Sequence, residues 1–212
     1  MRRPCSSSSA AAESVAGLFS RVRAAILESA APAGARVHTV RGFRVVVENT
    51  RPDIATAVVL ARLGEALALI ERHQPWRLAH LRRDIAQFWI VRYPCRGAYF
   101  PDTRTCMTEL TFLARTDITA APVASSIVHE GMHARTYQMG IQPESHHAPR
   151  EERICRRAEL EFGLALPPDL GAPVVERARQ SLELPDDGVA PTIDWAEARR
   201  RQDSVDRQAR GG

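Results

Sequence analysis

Residues 127–137 read Ile-Val-His-Glu-Gly-Met-His-Ala-Arg-Thr-Tyr, which places His129, Glu130 and His133 in the spacing His-Glu-x-x-His. On an α-helix, residues four apart lie roughly 40° from each other around the axis and about 6 Å along it. Two imidazoles at that spacing can bind one tetrahedral ion from the same side. Glu130 then lies beside the ion, where its carboxylate can take a proton from water. The stretch therefore predicts a helix that carries one Zn²⁺ ion.

The same five-residue pattern would also occur in an amphipathic helix whose histidines face solvent or pack in a core. The surrounding sequence favours the metal site over that alternative. Residues before the motif are apolar, the motif falls in the middle of a predicted helix, and an acid-rich helix follows it. The apolar residues are Val123, Ile127 and Val128.

The composition is that of a globular protein. Of 212 residues, 44% are hydrophobic and 25% are charged, which suffices for one domain with a full core. The formal net charge of +4 comes from arginines scattered among acids, so no nucleic-acid surface is indicated. No apolar run approaches the roughly 18 residues of a membrane span, and the N-terminus lacks the apolar stretch of a secretion signal. We therefore expect a cytoplasmic protein without a membrane partner; the sequence gives no signal for its oligomeric state.

The first half of the chain predicts helices and short strands. Residues 1–12 are rich in Ser and Ala and are expected to be disordered. Hydrophobic periodicity and helix-start signals predict helices over 13–29, 53–73 and 75–83, with Asp53 as the N-cap of the second. Alternating or continuous apolar runs predict strands over 36–40, 43–48, 88–91, 98–100 and 105–114, and a turn at Arg41-Gly42 is expected to join the first two in a hairpin.

From residue 117 onward the sequence predicts helices only. The motif helix is expected to begin at Asp117 or Thr119, to hold Pro122 in its first turn and to stop before Gly140. Further helices are predicted over 149–165, 173–182 and 192–208, the last as a solvated or loosely docked charged tail.

This order of elements predicts an α+β fold. N-terminal helices with a small mixed or antiparallel sheet precede the motif helix and a helical C-terminal part. We expect one domain over 13–183, made of a sheet-containing lobe (13–116) and a helical lobe (117–183), followed by a charged helix or tail over 184–212.

Two imidazoles leave a catalytic zinc ion one protein ligand short. An extended motif with a third histidine would need Gly at 136 and His at 139, but the chain has Thr136 and Met139. A carboxylate from the following segment is the remaining source. The available residues are Glu144, Glu151, Glu152, Glu159 and Glu161.

His129-Glu130-Gly131-Met132-His133 followed by Glu152, with 18 residues between, resembles the gluzincin class of zinc metallopeptidases in a small, single-domain form. The resemblance covers about residues 84–166. It implies a zincin-like fold and a hydrolase that cleaves peptide bonds in a peptide or protein substrate.

By this resemblance, His129 and His133 bind zinc, Glu130 is the general base and acid, and Glu152 is the third ligand. Glu151 is the rival ligand if the helix phase differs by one residue. Glu159 lies seven residues after Glu152 on the same face, where it can hydrogen-bond a ligand histidine.

The chain departs from the pattern of that class at one position. Many gluzincins carry an Asp four residues after the third ligand, where it orients a histidine. Here that position is Arg156. The residues that orient the histidines are therefore left open.

The resemblance also implies a substrate-binding edge strand beside the motif helix. We expect this strand to be 105–114, so that Met107, Glu109 and Thr111 line the substrate; the alternative is an interior strand without a free edge. Tyr137 follows His133 by four residues and is a candidate to stabilise the transition state. His146 and His147, in the loop before the helix that carries Glu152, are further candidates. Core packing for Tyr137 and a solvated loop for the two histidines are the competing interpretations.

Three functions remain open from the sequence. The first is a zinc metallopeptidase, the second is a non-proteolytic zincin-fold protein that binds or regulates, and the third is a zinc hydrolase that acts on a non-peptide amide. The complete set of His129, Glu130 and His133 favours the first, because a binding-only protein has no need of Glu130.

Overall fold

A computed structural model describes residues 34–141, 148–191 and 194–210, which form an α+β fold as predicted. The predicted disordered segment 1–12 and the predicted helix 13–29 lie outside the described residues. The strands are β1 (Arg36–Val40), β2 (Phe43–Glu48), β3 (Gln87–Val91), β4 (Gly97–Phe100) and β5 (Thr105–Glu109). The helices are α1 (Thr56–His73), α2 (Pro75–Asp84), α3 (Leu110–Ala114), α4 (Ala121–Gln138), α5 (Ala148–Ala165), α6 (Pro168–Glu183), α7 (Asp186–Val189) and α8 (Trp195–Arg210).

The five strands form one mixed sheet in the order β1-β2-β3-β5-β4. The central strands β2, β3 and β5 are parallel, and both edge strands are antiparallel to their neighbours. β1 and β2 form the predicted hairpin through Arg41 and Gly42. β1 and β4 are therefore the two edge strands, and β4 is the edge strand that contacts the motif helix.

Alternation along the central strands gives the sheet two apolar faces. Val45, Phe88 and Cys106 pair in register and belong to the main core, which α1, α2 and α4 complete. Their neighbours on the opposite face form a second, smaller cluster. That cluster consists of Val46, Trp89, Val91, Phe100 and Met107. Burial on both faces explains why these strands read as nearly continuous apolar runs.

The motif helix α4 lies against the main core through the apolar residues that precede the motif. Val123, Ile127 and Val128 are all buried there. The helix begins at Ala121, slightly later than predicted, with Pro122 in its first turn, and Gly140 follows its end at positive φ. The two histidines of the motif then lie on the side of α4 that faces α5.

The predicted strand 105–114 is wrong in its second half. β5 ends at Glu109, and residues 110–114 form α3 instead. The side chain of Glu109 accepts a hydrogen bond of 2.7 Å from the backbone N–H of Phe112, which caps the new helix. Leu110, Phe112 and Leu113 are buried on this helix, so their apolar character does not distinguish strand from helix.

The last helix is docked more firmly than its composition predicts. Asp206 is 9% exposed and accepts hydrogen bonds from Arg51 at 2.9 Å and from Arg92 at 3.0 Å. The Trp195 ring at the start of α8 lies 5.9 Å from the Tyr93 ring. The prediction of Asp53 as the N-cap of α1 is wrong, because α1 begins at Thr56 with Ala55 before it. Asp53 instead accepts a hydrogen bond of 2.7 Å from Arg51.

Among the helices of the described residues, none combines the length and hydropathy that a membrane crossing requires.

The contact between α5 and α6 should be sensitive to a single methyl group. A Cβ added at Gly171 would overlap the carbonyl oxygen of Gly163, which is rigid helix backbone. We expect Gly171→Ala to lower the free energy of unfolding by about 1–3 kcal/mol, because the two helices must separate. Chemical denaturation measures the change.

Gly64→Ala in α1 is the matched control. A Cβ at Gly64 would meet the Val40 side chain at 3.5 Å, an ordinary contact. This variant should gain about 0.5–1 kcal/mol from helix propensity. Equal effects of the two substitutions would contradict the close packing of α5 on α6.

Candidate active site

The two motif histidines project from one face of α4 and turn their Nε2 atoms toward each other. These atoms are 3.2 Å apart, and the ring centroids are 4.9 Å apart. His129 is buried and His133 is half-buried. The four-residue spacing thus brings both imidazoles to one point, as the sequence predicts.

Glu152 on α5 reaches the same point. Its Oε2 lies 3.3 Å from Nε2 of His129, and its Oε1 lies 3.2 Å from Nε2 of His133. Ligand atoms around a tetrahedral zinc ion, at about 2.0–2.2 Å from the metal, are separated by about 3.3–3.6 Å. The observed separations of 3.2–3.3 Å therefore fit a small divalent ion held by His129, His133 and Glu152.

Each imidazole is also held from behind by a carboxylate of α5. Glu159 Oε1 lies 2.6 Å from Nδ1 of His129, and Glu151 Oε1 lies 3.0 Å from Nδ1 of His133. An Nδ1–H donated to a carboxylate leaves Nε2 as the acceptor atom for a metal. Glu159 occupies the place predicted for it, whereas Glu151, predicted as a rival ligand, contacts the opposite ring nitrogen.

Further hydrogen bonds fix these two carboxylates. Glu159 accepts from Ser125 at 3.2 Å and from Arg156 at 2.6 Å. Glu151 accepts from the Thr136 hydroxyl at 2.9 Å. Arg156, the position at which the chain departs from the gluzincin pattern, thus holds the carboxylate that orients His129.

Glu130 faces the cleft beneath the edge strand β4. A Cβ added at Gly97 would lie 2.8 Å from Oε1 of Glu130, so the strand passes close to this carboxylate and a larger residue would displace its side chain. Within the described residues, no side chain donates a hydrogen bond to Glu130. Burial raises the pKa of this carboxyl, and the two imidazoles partly offset that effect.

The carboxylates also control protonation of the histidines. Burial lowers the pKa of His129, but hydrogen bonds to Glu152 and Glu159 outweigh it and raise the pKa to about 10. Burial likewise opposes a charge on His133, and contacts with Cys155, Glu151 and Glu152 raise its pKa. Burial raises the pKa of Glu152, but its contacts with both imidazoles lower it by more.

Cys155 is a further group that can bind a metal at this point. Its thiol and one nitrogen from each of His129 and His133 all lie within 4.8 Å of one another. Cys155 is fully buried, one turn of α5 after Glu151. The sequence pattern did not mark Cys155 as a ligand, although a cysteine three residues after Glu152 falls near the same helix face.

A cleft of about 640 Å³ opens over these residues, between β4 on one side and α5, α6 and the start of α8 on the other. Tyr137 lines the cleft, with its ring 6.5 Å from that of Tyr99 on β4. His146 and His147 lie outside the described residues. Arg96, Arg156 and Arg177 supply the positive charge of the lining.

The prediction of β5 as the substrate-binding edge strand is wrong. β5 is paired on both sides, Met107 is fully buried, and Thr111 belongs to α3. Glu109 is 5% exposed and binds Arg92 at 2.8 Å. The free edge beside the motif helix belongs to β4. This strand has only four residues, so its hydrophobic pattern did not indicate a strand that binds substrate.

No protein-family model, no curated protein and no solved structure matches this chain. Its function is therefore inferred from the geometry of the cleft.

In the metal-free protein, we expect the imidazole of His129 to stay protonated until the pH approaches about 10, because Glu152 and Glu159 stabilise its charge. Glu159→Gln removes one negative partner and should lower this pKa. NMR titration of the histidine ring signals measures both values.

Glu161→Gln on the same helix is the control, since Glu161 is exposed and pairs with Arg77 instead. It should leave the pKa of His129 unchanged. A pKa near the ordinary value of about 6.5 in the wild-type protein would contradict the carboxylate contacts.

Proposed function

We propose that this protein is a zinc-dependent metallopeptidase with a zincin-like fold of the gluzincin type. The observation that carries the proposal is the convergence of two imidazole nitrogens and the Glu152 carboxylate at separations of 3.2–3.3 Å. The carboxylates on both Nδ1 atoms add support, because metal-binding histidines are normally held in this way.

His129, His133 and Glu152 would hold the ion. When bound, Zn²⁺ supplies Lewis acidity: it polarises a carbonyl group and lowers the pKa of water toward about 7. Three protein ligands are the number that a catalytic zinc site normally has. Glu151 and Glu159 fix the tautomer and the direction of the two imidazoles.

Glu130 would act as the general base. It lies on the same helix as His129 and His133 but outside the group formed by their Nε2 atoms and the Glu152 carboxylate. No side chain of the described residues donates a hydrogen bond to its carboxylate. Burial raises its pKa, which brings a carboxylate closer to the range in which proton transfer is efficient. Glu130 would take a proton from the attacking water and pass it to the leaving amine.

The edge strand β4 would bind the extended substrate backbone. Glu109 N–H donates to the Arg96 carbonyl at 2.9 Å, so by alternation Ala98 faces β5 while Gly97 and Tyr99 present their backbone groups outward. The Cys95 thiol donates to the Gly97 carbonyl at 3.1 Å, consistent with that direction.

If the substrate pairs with β4, its backbone N–H groups must donate hydrogen bonds to that strand. We expect N-methylation of alternate peptide amides near the scissile bond to slow cleavage, because each removes one strand hydrogen bond. Methylation of the intervening amides is the control. A cleavage rate insensitive to all of them would exclude pairing with β4.

Zinc binding should distinguish Glu152 from Cys155 as the third ligand. Glu152→Ala should abolish stoichiometric zinc, whereas Cys155→Ser should retain it. Glu151→Gln and Glu159→Gln should weaken zinc affinity by about 10–100-fold, because each replaces the carboxylate on one Nδ1 atom by a neutral amide. Elemental analysis and calorimetric titration measure these effects; zinc lost in Cys155→Ser but kept in Glu152→Ala would reverse the assignment.

Glu130→Gln should retain zinc and lose peptide cleavage. The amide cannot accept a proton, so we expect kcat to fall by at least about 10²–10⁴-fold. A peptide library digested with and without a chelator identifies the substrate for this measurement. Full activity in Glu130→Gln would exclude Glu130 as the base.

The second candidate function is a non-proteolytic binding or regulatory protein with a structural metal. Cys155 favours it, because Glu152 and Cys155 together with both histidines would give four protein ligands and no open position. In that case the zinc-loaded protein would cleave no peptide, and Cys155→Ser would lower its thermal stability by releasing the ion.

A further inference from the structure

A second cavity, of about 150 Å³, opens beside the cleft and shares Arg96 and Arg177 with it. Its floor is apolar. The apolar lining residues are Phe112, Ile118, Pro122, Pro173 and Val174. The charged lining residues are three arginines, and no acidic side chain from the described residues lines this cavity. The cavity thus combines an apolar floor with a positively charged rim.

Arg177 on α6 is the unusual member of this rim. It is half-buried, and burial lowers its pKa. It forms no hydrogen bond or ion pair with any described residue. The carboxylate of Glu159 attracts it, but this carboxylate already forms hydrogen bonds with His129, Ser125 and Arg156. A partly desolvated guanidinium whose donors no described residue uses is suited to bind an anion.

Arg96 stands at the other side of the opening. Its guanidinium lies 5.3 Å from the centre of the Phe112 ring, and no carboxylate among the described residues pairs with it. Arg115, by contrast, is neutralised by Asp117 at 2.8 Å. Arg177 and Arg96, two of the three arginines around the cavity, therefore have N–H donors that no described carboxylate uses.

The cavity is adjacent to the proposed catalytic centre. Ser125 lines the cavity and donates to Oε2 of Glu159, while Oε1 of Glu159 contacts the ring of His129. A single carboxylate separates the cavity from a candidate zinc ligand. A group bound there would belong to a residue next to the scissile bond of a substrate paired with β4.

We propose that Arg177 and Arg96 form a carboxylate-binding subsite that selects peptides with a negative charge next to the scissile bond. This inference rests on the proposed peptidase function. The carboxylate comes from an acidic side chain or from the C-terminus of the peptide. A planar guanidinium binds either one through two parallel hydrogen bonds, and the apolar floor accommodates the methylene groups.

Matched peptides test the subsite through kcat/KM. One pair differs by Glu or Gln at the residue beside the scissile bond, with an amidated C-terminus; a second pair keeps Gln there and ends in a free acid or an amide. The wild-type protein should prefer the charged member of one pair by at least about tenfold, the worth of a charged hydrogen bond. The pair that shows the preference identifies the source of the carboxylate.

Arg177→Gln should abolish this preference by slowing the charged peptide at least about tenfold, while the neutral peptide changes less than about twofold. Arg177→Lys should restore part of the preference, because it keeps the charge without the planar fork. Arg179→Gln, an exposed position on the same helix, is the matched control and should leave the preference intact. Arg96→Gln, also at an exposed position, tests the subsite if Arg177 variants do not fold.

A binding measurement separates the subsite from the enzymatic activity. Zinc-loaded wild-type protein should bind N-acetylglutamate at least about tenfold more tightly than N-acetylglutamine, and Arg177→Gln should bind both equally. Preferential binding without any peptide cleavage would overturn the proposed function and keep the subsite. Cleavage with no preference in either peptide pair, together with equal binding of the two probes, would overturn the subsite and keep the function.

Discussion

The pairing of α5 carboxylates with the two imidazoles of α4 is the interaction on which the site depends. Glu152 faces both Nε2 atoms, and Glu151 and Glu159 hold the Nδ1 atoms. In a buried setting none of these groups is tolerated alone, because an unpaired charge in a medium of low dielectric constant costs several kcal/mol. Every group in the cluster therefore constrains the orientation of its neighbours, and together they define one small volume suited to a divalent ion.

Two kinds of packing keep these helices at the required distance. The apolar residues of α4 before the motif fix that helix on the main core, so its histidines face away from the sheet. Close contact between Gly171 and Gly163 brings α6 against α5, and Phe162 and Val174 belong to the same core. This arrangement sets the carboxylates of α5 on one wall of the cleft and Arg177 of α6 behind them. The residues proposed for metal binding, proton transfer and substrate selection thus lie on three helices that pack against one another.

The charges around the cleft are unevenly distributed. Glu130 and the carboxylates of α5 surround the imidazoles, whereas the neighbouring cavity is lined by arginines. Arg156 stands between the two regions and binds Glu159 at 2.6 Å. A cation is favoured at the first location and an anion at the second, and a peptide that carries a carboxylate beside the scissile bond would satisfy both.

The sequence by itself determined what depends on local spacing. The His-Glu-x-x-His spacing placed His129 and His133 on one face of a helix. The helical period of α5 predicted that Glu152, and Glu159 two turns later, face these histidines. The turn residues predicted the β1–β2 hairpin. Strand order, by contrast, depends on long-range pairing, so the sequence could not tell that β5 is interior and that the short strand β4 is the free edge. Only the tertiary structure decided the role of Glu151 on the far side of His133, the docking of Asp206 and the approach of Arg96 to Arg177. These contacts join segments far apart in the chain, and no local pattern encodes the distance between two helices that pack against each other.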